Sequence, residues 1–87
     1  MTIKKLIKDY GDIRISLNKL ENDVTPWSDA NADTRMSIKA KIYNLRANAR
    51  DYKSKDDVSM ARAKLIYEAS FELEDELDGL GEIPDED

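Results

Sequence analysis

The chain contains no cysteine and no histidine. Without cysteine there is no disulfide framework, no thiolate zinc site and no cysteine nucleophile. Without histidine the usual general base and metal ligand at neutral pH are missing. Only three glycines are present, and none sits in a phosphate-cradling loop or beside a candidate nucleophile. No serine or lysine stands in a pattern that supplies it with a base. Long apolar runs are lacking too. The opening MTIKKLIKDYGDIRIS is charged every few positions, giving neither the apolar core of a signal peptide nor the ~20 residues of a membrane span. These absences point to a cytoplasmic protein that is not an enzyme, uses no cofactor and does not engage a membrane.

Charge is what the sequence has in abundance: 14 Lys/Arg and 19 Asp/Glu give a formal net charge of −5. Its distribution says more than its sum. Residues 1 to 55 carry 12 cations against 7 acids, an excess of +5, and residues 56 to 87 carry 2 against 12, an excess of −10. Such asymmetry marks an acidic interaction segment, or two halves that neutralise each other across the fold. At 87 residues there is room for one small domain. A domain of this size buries only about 60–65% of its unfolded surface, so a partner or a second copy would help to stabilise it.

Apolar periodicity predicts three helices. Ile3, Leu6, Tyr10, Ile13, Leu17, Leu20 and Val24 repeat at 3, 4, 3, 4, 3, 4, an unbroken heptad seam with Thr2 as its N-cap. Gly11 interrupts that helix and is expected to mark the close approach of a neighbour, since glycine there costs ~1 kcal/mol relative to alanine. In residues 34 to 53, Ile38, Ile42, Leu45, Ala49 and Tyr52 form one seam, and Met36, Ala40, Tyr43 and Ala47 fall on a second, roughly opposite face. This helix starts either at Pro26, capped by Thr25, or near Asp33 after a short turn. Ser54 and Asp57 read as a capping box for a third helix running to about Leu80. Val58, Ala61, Leu65, Ile66, Ala69, Leu73, Leu77 and Leu80 make its main apolar face, with Met60, Ala63, Tyr67 and Phe71 as a second stripe. The expected architecture is therefore all-α: a three-helix bundle, or a long hairpin with a third helix laid across it. One helical domain spans 1–81, with helices at about 2–22, 26/34–53 and 55–80, and 82–87 form a short acidic disordered tail. The surplus apolar residues Met36, Tyr43, Met60, Tyr67 and Phe71 call for a homodimer or a partner groove.

Two constellations imitate known sites and stop short. Asp29, Asn31 and Asp33 match the first ligands of a calcium-binding EF-hand loop, but Thr34 stands where the glycine is needed and Ala40 where the bidentate glutamate belongs. Glu72 and Asp75 give an E-x-x-D step reminiscent of all-α nucleotide pyrophosphohydrolases, without the upstream E-x-x-E. Neither predicts a metal centre.

Binding residues remain. Residues 66 to 87 hold ten acids and no cation, and Glu68, Glu72, Asp75, Glu76 and Asp78 form a candidate acidic face for a protein partner with a basic surface. Trp27, Tyr67 and Phe71 are candidate apolar anchors, although burial at the bundle end is the main expectation for Trp27. Small acidic proteins that occupy nucleic-acid-binding grooves work in this way, an analogy of composition alone. The basic stripe Arg35, Lys39, Arg46, Arg50 and Lys53 offers the alternative of a nucleic-acid surface. Its counter-reading is pairing with Glu68, Glu72 and Asp75 across the fold. A purely structural homo-oligomer is a third possibility.

Overall fold

The computed structural model describes residues 1–84, which form three α-helices and one 3₁₀ turn: α1 (Ile3–Glu21), the turn Asp29–Asn31, α2 (Ala32–Asp51) and α3 (Asp57–Leu80). The small all-α bundle expected from periodicity is what the chain adopts. The expectation for Asp85, Glu86 and Asp87 lies outside the described residues.

α1 starts where the Lys5 amide donates to Thr2 Oγ1 at 3.1 Å, as the capping preference for threonine requires. Its seam buries Leu6, Ile13, Leu17 and Leu20, with Ile3 and Tyr10 packed beside them. The heptad ends one position early. Val24 lies past the helix and is 88% exposed, because the chain leaves the helix at Asn22. Gly11 also departs from expectation, since a Cβ built there meets nothing within 4 Å. It sits on an open flank of α1 and not against a neighbour.

The segment after α1 is a structured loop. Asn31 Nδ2 donates to the Thr25 carbonyl at 2.9 Å and to Ser28 Oγ at 3.3 Å, and Pro26 is buried. The α-helix begins only at Ala32. The later of the two expected starts is thus the one adopted: Thr25, whose amide donates to Asp23 Oδ1, caps no helix at Pro26. Trp27 ends half-buried, outside the central core cluster.

α2 buries Ile38, Ile42, Leu45, Ala49 and, just past its end, Tyr52, the seam read from sequence. The cap of α3 is displaced from the expected Ser54. Asp56 takes the role, its carboxylate accepting from the Ser59 amide at 3.2 Å and from the Ser59 hydroxyl at 2.6 Å, while Ser54 Oγ accepts from the Asp56 amide. The phase of α3 also differs. The buried positions are Ala63, Ile66, Ser70, Leu73 and Leu77, with Leu80 beside them, a 3, 4, 3, 4, 3 repeat that passes through a serine. Val58 and Leu65, assigned to the main face, are 57% and 64% exposed.

α2 and α3 form an antiparallel hairpin, the most extensive contact in the molecule. Arg35 lies beside Gly81, Lys39 beside Asp78, and Arg46 beside Ser70 and Glu74. α1 lies in one groove of this hairpin, parallel to α3, with Arg14 hydrogen-bonded to Glu76. The result is elongated, 53 × 22 × 17 Å. Among the described residues no helix is long and apolar enough to cross a membrane.

Candidate functional site

The charged side chains of α2 and α3 sort into those engaged within the bundle and those left facing solvent. Arg46 is the most engaged. Its guanidinium donates to Ser70 Oγ at 2.9 Å, to the Ser70 carbonyl at 3.2 Å and to Glu74 at 2.7 Å. It also lies over the Phe71 ring at 3.9 Å and the Tyr43 ring at 5.5 Å, within cation–π reach of both. Ser70 is fully buried, and its hydroxyl donates onward to the Tyr67 carbonyl at 2.6 Å. A serine is tolerated in the seam because both its donor and its acceptor are satisfied.

Glu74 is the acidic centre of this node. Besides Arg46 it accepts from the Tyr43 hydroxyl at 3.0 Å, and Lys39 Nζ approaches at 3.9 Å. The hydrogen bond from Arg46, followed by that from Tyr43, holds the Glu74 carboxyl below the usual carboxylate range. The same contact raises the Tyr43 hydroxyl. Lys39 pairs with Asp78 at 2.9 Å, and that hydrogen bond raises its ammonium.

Two members of the basic stripe of α2, Lys39 and Arg46, are paired across the fold, but with other acids than the sequence suggested. Their partners are Glu74 and Asp78, not Glu68, Glu72 and Asp75. Arg35 closes the preceding loop, donating to the Pro26 carbonyl at 2.6 Å and the Ser28 carbonyl at 2.9 Å. Arg50 pairs only with its neighbour Asp51, and Lys53 makes no ion pair among the described residues. Both line a cleft of about 310 Å³ with Lys64, Met60 and Tyr67.

The five residues of the candidate acidic face divide in the same way. Glu76 is tied to Arg14 of α1 and Asp78 to Lys39 of α2. Glu68, Glu72 and Asp75 are exposed and make no ion pair or side-chain hydrogen bond within the described residues. At i, i+4 and i+7 they share one stripe of α3, and exposed Ala61 and Leu65 continue that stripe toward the helix start. Of the candidate anchors, Tyr67 is partly buried and meets Phe71 edge-on at 5.3 Å, whereas Phe71 itself is 43% exposed. Trp27 lies in the loop before α2, away from both.

Sequence reasoning missed Ser70 and Glu74 as partners of Arg46. The only available signal was a serine falling on the heptad between Ile66 and Leu73. Among the described residues no cluster of three acids is placed to hold a metal ion. No family model, curated protein or solved structure matches the chain.

Proposed function

We propose that the protein is a non-catalytic binding factor, an adaptor or inhibitor acting in the cytoplasm, which presents the outer face of α3 to a protein partner with a basic groove. The observation that carries this reading is the division among the acids of α3. Glu74, Glu76 and Asp78 are paired with Arg46, Arg14 and Lys39 of the bundle, while Glu68, Glu72 and Asp75 are exposed and make no ion pair among the described residues. A helix fixes their spacing at ~6 Å and then ~5 Å along its axis. Such a rigid row of carboxylates suits a groove that otherwise takes nucleic-acid phosphates, and it steers encounter by charge. Leu65, 64% exposed at the head of the row, adds apolar area where the charges end.

Direct nucleic-acid binding draws less support, because Lys39, Arg46 and Arg35 are committed to contacts inside the molecule. The test is a pull-down from the source cell with wild type and with the triple variant Glu68→Lys, Glu72→Lys, Asp75→Lys, followed by identification of the retained protein. Loss of the partner with an unchanged helical circular dichroism spectrum is expected. Equal capture by both forms, or a gel shift of duplex DNA abolished by Arg46→Glu and Arg50→Glu, would contradict the reading.

A further inference from the structure

We draw no further inference here: the strongest candidate, the open groove of the α2/α3 hairpin along Met36, Tyr43, Met60, Tyr67 and Phe71, is an unpartnered apolar face, and nothing in the structure shows what covers it.

Discussion

Arg46 is the residue on which the charge map turns. On a helical wheel it belongs to a basic stripe, and nothing in its own neighbourhood says whether that stripe meets a ligand or the same chain. The answer depends on the phase of α3. Once Ser70 is in the seam, Glu74 follows one turn later on the side of α2, and Glu72 is turned outward. A serine in an apolar repeat is illegible without its partners, since its burial is stabilised by the Arg46 Nε donor and the Tyr67 carbonyl acceptor. The Arg46–Glu74 contact has a consequence in acid. The folded-state pKa of Glu74 is depressed, so its contribution is fully present above the unfolded value of about 4.3 and is lost as pH falls through the lower folded value. Asp56, lowered first by the Ser59 hydroxyl and then by its amide, acts in the same direction. Thermal melts followed by circular dichroism are expected to fall in midpoint below about pH 5, and Glu74→Gln should flatten that fall while lowering the midpoint at neutral pH. An identical acid slope in the variant would exclude the node as a source of stability.

At the scale of the element, the three helices differ in how legible they are. α1 and α2 each have one seam of large aliphatic residues, and period alone places it. In the first half of α3, Val58, Ala61 and Leu65 compete with Met60, Ala63 and Tyr67. Val58, Ala61 and Leu65 lose, because α2 and α1 converge on the side that carries Ala63 and Ile66. Loop chemistry was legible in kind but not in position. Asp and Ser residues crowd the start of α3, and which one caps depends on where Tyr52 turns the chain out of α2. α1 carries a helix-weakening residue with no packing reason. Because a Cβ at Gly11 meets nothing, Gly11→Ala is expected to stabilise the protein by ~1 kcal/mol, raising the melting midpoint by roughly 4–8 °C. Thermal denaturation measures this directly, and a lowered midpoint would mean that α1 is packed more closely at Gly11 than described.

For the whole molecule, the asymmetry between a +5 half and a −10 half is resolved in two parts. Some of the acids pair with Lys39 and Arg46 of α2 and with Arg14 of α1, ion pairs that join the two halves. The remainder stays outward on α3, and in the proposed reading those residues meet the partner. That assignment separates neighbours on one helix: Glu74 holds the fold, and Glu72, half a turn earlier, holds the partner. The most direct measurement compares Glu72→Lys with Glu74→Lys in a single partner-capture experiment, with the melting midpoint recorded on the same samples. Glu72→Lys is expected to keep the wild-type midpoint and lose capture, and Glu74→Lys to lower the midpoint and, below its melting temperature, keep capture. Capture that survives Glu72→Lys, or a midpoint unmoved by Glu74→Lys, would contradict the account.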